Sequence, residues 1–174
     1  MEVEVVVEIA RGSRNKYEID HESGAIWLDR MLFTATQYPA DYGFIAGTLG
    51  EDGDPLDALV LVDEATFPGC HILARPVAAF LMQDEAGRDA KVLCVPASDN
   101  RWDDTRELGD VRPSLLEEIG HFFEIYKALE PDKHTQVDGW VDRADAERLV
   151  VEARTRQAEG GGAHAGGADQ LHGG

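Results

Sequence analysis

The sequence predicts an α+β domain: a small antiparallel β-barrel followed by flanking C-terminal helices. Three observations carry this expectation. Closely spaced strand-like segments fill the first two-thirds of the chain. Helical periodicity is confined to the last third. The 174 residues suffice for one core without disulfides or a structural metal. Strands first and helices afterwards are the order of an α+β domain, and many short strands suit a small barrel.

Residues 2–9 are valine-rich and begin in strict alternation. Residues 16–20 also alternate, with Tyr17 and Ile19 on one side and Lys16, Glu18 and Asp20 on the other. Glu22-Ser23-Gly24 is a turn signal, so residues 25–29 read as the return strand of a hairpin. Residues 57–63 and 71–83 are longer apolar runs, the second interrupted by Pro76, and 90–95 is another short strand. After Pro113, Ser114 and Glu117 have capping-box spacing. Leu115, Ile119, Phe122, Phe123, Tyr126 and Leu129 then follow at helical intervals. A second amphipathic helix is expected over 144–159, with Asp142 as N-cap and Leu149, Val150 and Ala153 on its apolar face. From residue 159 the chain turns to Gly, Ala and His and holds seven of the 18 glycines. The expected division is therefore one domain over 1–158 and a disordered tail over 159–174, in which His164 and His172 are passive.

Sixteen Lys and Arg against 34 Asp and Glu leave a formal charge of −18. Such a surface repels nucleic-acid backbones and anionic membranes. No charge-free stretch exceeds about ten residues, too short to span a bilayer. The Met-Glu-Val-Glu start lacks the basic and apolar regions of a signal peptide. Cys70 and Cys94 lie in apolar surroundings without C-x-x-C spacing and read as buried reduced thiols. A cytoplasmic enzyme or binding domain, with neither nucleic acid nor membrane as partner, fits these features.

The most informative segment is Asp52-Gly53-Asp54-Pro55-Leu56-Asp57. Extended backbone puts Asp52 and Asp54 on one face, and Pro55 sets a bend from which Asp57 can turn to the same point. Hard divalent cations such as Mg²⁺ take oxygen ligands from few residues, with water and phosphate completing the shell. A solvated acidic turn is the ordinary alternative. An EF-hand is excluded, because Leu56 and Asp57 stand where its loop needs an oxygen ligand and a glycine. A second acidic cluster, Asp84-Glu85-Ala86-Gly87-Arg88-Asp89-Ala90-Lys91, reads as a turn whose ends, Asp84 and Asp89, could face one metal. Lys16, Arg30, Tyr38, Tyr42, Lys91, Tyr126 and Lys127 are candidates for holding phosphate. Each also has an ordinary reading as surface charge or core aromatic. His21 could modulate metal access or be a turn histidine; His71 is open, and His121 and His134 fit a helix surface and a loop.

Taken in order, these segments resemble the family I soluble inorganic pyrophosphatases of bacterial type. The resemblance runs from Glu8 through GSRNKYE at 12–18, Asp29-Arg30, YPADYGF at 38–44, DGDPLD at 52–57, DEAGRDAK at 84–91 and Asn100-Arg101-Trp102 to Tyr126-Lys127. It implies a five-stranded OB-like barrel, a cytoplasmic homohexamer and Mg²⁺-dependent hydrolysis of pyrophosphate, with several Mg²⁺ per site and Mn²⁺ or Zn²⁺ as substitutes. The resemblance assigns metal binding to Asp52, Asp57, Asp84 and Asp89, with Glu8, Glu18 and Glu85 as auxiliary acids. Asp54 matches the base that takes a proton from the attacking water, and Tyr42 a neighbour of that nucleophile. Lys16, Arg30, Tyr126 and Lys127 match phosphate-holding groups, Tyr38 a substrate-side hydroxyl, and Lys91 a neighbour of the acidic cluster. Two rivals remain: a metal-dependent phosphohydrolase acting on nucleoside polyphosphates or polyphosphate, and a non-catalytic metal-binding module.

Overall fold

The computed structural model describes residues 1–164. Eight strands follow one another: β1 (Val3–Ile9), β2 (Asn15–Ile19), β3 (Ile26–Met31), β4 (Asp41–Ile45), β5 (Asp57–Val60), β6 (His71–Asp84), β7 (Gly87–Pro96) and β8 (Thr135–Val141). Helix α1 (Pro113–Ile125) precedes β8, and α2 (Arg143–His164) follows it. β1 pairs with β4, β4 with β5, β5 with β7 and β7 with β6, and β6 returns to β1, so five strands close on themselves. Closure leaves no barrel edge to template aggregation. The expected barrel is present with one amendment: β5 and β7 run parallel, while the remaining pairings are antiparallel. β2 and β3 form a separate hairpin, and β8 extends β6 outside the ring.

β6 serves two neighbours by bending. Its first residues, His71–Ala74, pair with β1, and Ala79–Asp84 pair with β8. Between them the register against β7 shifts from Pro76 to Ala78. Proline has no N–H to give a ladder, and a bulge is where a strand tolerates it. The interruption seen in the sequence is thus the corner of the barrel.

Alternate residues of β5 and β7 enter two cores, which is why these strands read as unbroken apolar runs. Leu59 and Leu93 pack with Ile9, Phe80, Met82 and the α1 residues Ile119, Phe122 and Phe123. Ala58, Val60, Val92 and Cys94 pack with Val3, Val5, Ile45 and the α2 residues Ala146, Val150 and Ala153. Cys94 is buried, and burial pushes its thiol above the ordinary range; Cys70, also expected to be buried, is only half-buried. Asp142 caps α2 through Asp145 N–H (3.0 Å), as its position predicts. Helix α2 itself continues to His164, past the expected boundary at residue 159. His172 and the rest of 165–174 lie outside the described residues. The Ser114–Glu117 capping box does not form, because Pro113 is already the first helical residue and Arg112 stands at the cap. Leu129 falls beyond the end of α1 and is exposed.

β4 and β8 carried no clear strand signal, since glycine interrupts both. Gly43 in β4 is required sterically: a Cβ there would lie 1.9 Å from the Val6 carbonyl oxygen of β1. Asp41, fully buried at the start of β4, accepts bonds from Arg11 N (2.8 Å), Thr66 N (3.1 Å) and Thr66 Oγ1 (2.5 Å). It fastens the loops after β1 and β5 to the barrel. Gly43→Ala should therefore cost about 3 kcal/mol, the upper end for overpacking, and lower Tm by roughly 6–12 °C. Gly109→Ala, where an added Cβ meets nothing within 4 Å, is the control. Coincident melting of the two variants would refute the close approach of β1 and β4.

Candidate active site

One cleft of about 650 Å³ gathers side chains from across the fold. β1 supplies Glu8, β2 Lys16 and Glu18, β3 Arg30, and β4 Tyr42. The loop before β5 brings Asp52 and Asp54, and Asp57 opens that strand. Asp84 closes β6, Asp89 and Lys91 lie on β7, and Tyr126 and Lys127 follow α1. The turn carrying Asp52 and Asp54 is held locally. Gly50 N–H donates to Asp54 O (2.6 Å), Asp52 accepts from Asp54 N (3.0 Å), and Gly53 adopts φ +94°, open to glycine at no steric cost. Both carboxylates remain exposed.

At the floor, Lys91 is 2% exposed. Its ammonium lies 2.7 Å from Asp57 Oδ2, 2.9 and 3.0 Å from the two Asp89 oxygens, and 3.2 Å from the Tyr42 hydroxyl. Burial alone would discharge Lys91, but Asp57, Tyr42 and Asp89 outweigh it and raise its pKa well above the ordinary lysine range. Tyr42 donates to Asp57 Oδ2 (2.6 Å), and burial, then the Asp57 charge, raises its own pKa. Burial also raises the Asp89 carboxyl, against the pull of Lys91. Burial pushes Glu8 up to about 7, with the Ile19 N–H bond (2.9 Å) opposing and the Asp57 charge adding.

The cations on the rim are each tied to carboxylates. Lys16 pairs with Glu18 and, at 3.1 Å, with Asp29. Arg30 pairs with Asp29 and, at 2.7 Å, with Glu130. Lys127 lies 3.3 Å from Asp84, 3.9 Å from Glu85 and 5.3 Å from the centre of the Tyr126 ring. Lys133, which also lines the cleft, holds Glu85 at 2.6 Å and is the main reason that carboxyl sits low, at about 2.

Two candidates stand apart from the cleft wall. Tyr38 is buried between Tyr42 and Phe122, ring centres 5.4 and 4.8 Å away, and lines a different cavity. Glu85 sits behind Lys127 and Lys133. Asp29, Glu130 and Lys133 also line the cleft, with no role assigned to them by the sequence. Asp29 was visible beside Arg30, whereas nothing in sequence joins Glu130 to a residue 100 positions away. His21 lines the cleft edge-on to Phe44, 4.8 Å between ring centres.

The donor set fits a hard divalent cation. Asp52, Asp54, Asp57, Asp84, Asp89 and Glu8 offer only carboxylate oxygen, and burial makes two of them, Glu8 and Asp89, bind protons more tightly than usual. Among the described residues no three His, Cys, Asp or Glu side chains already converge on one point. Lys91 occupies the space between Asp57 and Asp89.

An OB-like barrel whose acidic cleft is rimmed by lysine and arginine suits the hydrolases of phosphate anhydrides. Residues 5–158 match the family model described as inorganic pyrophosphatase. The inorganic pyrophosphatase of Streptomyces coelicolor is 54% identical over 162 residues, 93% of this chain and 99% of that protein. That of Methanosarcina mazei is 52% identical over 155 residues, 89% and 91% of the two chains. The Helicobacter pylori inorganic pyrophosphatase structure superposes with a TM-score of 0.89 at 42% identity, covering 90% of this chain and 94% of that one. The Thermus thermophilus structure gives 0.88 at 50% identity, covering 90% and 91%. The chain belongs to the inorganic pyrophosphatase family.

The buried lysine generates a prediction. Lys91→Met leaves Asp57 and Asp89 facing each other without their cation, which should destabilise the metal-free protein by about 2–3 kcal/mol, less than a fully buried pair because both acids are partly exposed. Added Mg²⁺ should raise the variant's Tm more than the parent's. Equal melting in chelator would show that Lys91 does not carry this balance.

Proposed function

We propose that the protein hydrolyses inorganic pyrophosphate to two phosphates in a Mg²⁺-dependent reaction, by direct attack of water with Asp54 as general base. The observation that carries this reading is the union, in one cleft, of an acidic floor with a rim of Lys16, Arg30 and Lys127. An acidic floor repels a polyanionic substrate, and divalent cations, when bound there, would offset that charge and acidify water. Asp52, Asp57, Asp84 and Asp89 would hold them, with Glu8, Glu18 and Glu85 as auxiliary acids; Mn²⁺ or Zn²⁺ could substitute.

The chain's own groups divide the remaining work. Asp54 is exposed and, among the described residues, its carboxylate has no hydrogen-bond donor, so it is free to take the proton of a water entering the cleft. That water's oxygen bonds to one phosphorus, the bridging P–O bond breaks, and the second phosphate leaves with its electron pair. Lys16, Arg30 and Lys127 stabilise charge on the transferred and leaving groups, where most phosphoryl-transfer catalysis arises. Tyr126 lines the same end of the cleft. Tyr42 and Lys91 hold Asp57 in place. Tyr38, whose ring packs 5.4 Å from that of Tyr42, would serve as a substrate-side hydroxyl.

The reading extends to a cytoplasmic homohexamer. Among the described residues no helix is long and apolar enough to cross a membrane. Trp27, Leu28, Met31 and Phe67 are more than half exposed, apolar surface of the kind that self-association covers.

Phosphate release from pyrophosphate should be fast with Mg²⁺, abolished by excess chelator, and little changed by ATP as competitor. Release from ATP or polyphosphate at comparable rates would favour a broader phosphohydrolase; metal binding without any release would favour the binding module. Asp54→Asn should fold and bind substrate while losing about 10²–10⁴-fold in turnover, the loss expected for a general base. Near-normal turnover would remove Asp54 from that role.

A further inference from the structure

Arg30 and Glu130 are 100 positions apart, yet their side chains meet: Nε lies 2.7 Å from Oε1, and Nη2 donates to Oε2 at 3.1 Å. Glu130 is the more deeply buried of the two, 7% exposed against 23% for Arg30. Among the described residues Arg30 is the basic group that answers this carboxylate. Glu130 belongs to the turn that leaves α1, where its N–H donates to Lys127 O (2.9 Å) and Ala128 N–H donates to Ile125 O (2.9 Å). The turn that presents Lys127 to the cleft therefore also presents Glu130 to Arg30.

We propose that Glu130 is a positioning residue: it fixes the Arg30 guanidinium in register with Lys127, so that the two cations meet the substrate's phosphates as one preorganised pair. The proposal rests on the reading of Arg30 as a phosphate-holding group. Its physical basis is the weakness of Arg30's own support. The β2–β3 hairpin is a two-stranded sheet outside the barrel, and a lone hairpin is marginally stable. β3 is exposed at every position except Arg30, which is intermediate. An arginine on such an element keeps much rotameric freedom unless its head is tied down. Asp29 accepts from Nη1 on one side, and Glu130 accepts from Nη2 on the other with its second oxygen beside Nε. Each terminal nitrogen keeps a second N–H, so the fork retains donors for a phosphate.

A double-mutant cycle in kcat/KM tests this, with Tm measured alongside. Glu130→Gln keeps the shape and removes the charge. It should lose about 10- to 100-fold in kcat/KM, the scale of a displaced positioning group. The same substitution on an Arg30→Ala background should cost less than twofold, because nothing remains to position. Glu130→Asp, with the charge restored, should recover part of the loss. An equal cost in both backgrounds, or a loss tracking Tm alone, would show that Glu130 serves the fold and overturn the proposal while leaving Arg30's role intact. Faster turnover or a lower KM in Glu130→Gln would show that it competes with phosphate, and would overturn it too. An Arg30→Ala enzyme with undiminished kcat/KM would instead remove the phosphate-holding reading, and this proposal with it.

Discussion

Lys91 stands opposite Asp57 in the parallel pairing of β5 with β7, and the rest of the site is arranged around that register. The ammonium is buried, so it cannot be left without countercharge, and the cost of an unpaired ion in the interior fixes Asp57, Asp89 and the Tyr42 hydroxyl on it. These groups come from three adjacent strands, β4, β5 and β7. A slip of one residue in either pairing would turn their side chains to the opposite face. The two cores prevent such a slip, because Leu59 and Leu93 must enter one and Val60 and Cys94 the other. Burial of ordinary aliphatic side chains thus sets the geometry of the acidic floor.

Above that floor, charge is arranged with little slack. Lys16, Arg30, Lys127 and Lys133 each touch at least one carboxylate, and Asp29 and Glu85 are each shared by two cations. The cations are held in place before any ligand arrives, which reduces the ordering that binding would require. Burial acts on the carboxylates in turn: Glu8 and Asp89 both retain protons above their ordinary range, because burial disfavours their charge. The acidic floor and the paired rim are therefore two sides of one electrostatic arrangement.

The fold and much of the site were legible because their signals are local. Alternation located β1 and β2, a turn signal β3, apolar runs β5, β6 and β7, and helical spacing both helices, since each of these signals lies within its own segment. β4 and β8 were missed because Gly43 and Gly139 break the pattern for reasons that exist only in the assembled sheet: the approach of Val6 to one, and a positive φ (+102°) at the other. The parallel pairing of β5 with β7 was likewise invisible, because topology is not written in the composition of a strand. Among site residues, the two acidic clusters announced themselves by density. Tyr38 did not announce that it would lie behind Tyr42, since an aromatic in the YPADYGF segment has the same sequence appearance in either place. Asp29 stood in plain view but had no evident task until the hairpin brought Lys16 and Arg30 to either side of it. Asp41, in the same YPADYGF segment, has no role legible in sequence, and only its burial and three donors reveal a structural staple.

The net charge of −18 raises a last question, since the proposed substrate is itself an anion. At physiological ionic strength, exposed charges more than about 8 Å apart are largely screened from one another. The far surface therefore contributes little to the field in the cleft, and the local balance decides. Locally, opposite charges lie side by side: the floor gathers Asp57 and Asp89, and the rim Lys16, Arg30 and Lys127. The surplus of acid elsewhere has another consequence: it disfavours binding to nucleic acids, whose phosphates would otherwise compete for the same lysines and arginines. Lys16, Arg30, Lys127 and Lys133 gather at the cleft, while most of the remaining lysines and arginines lie outside it among the surplus acid.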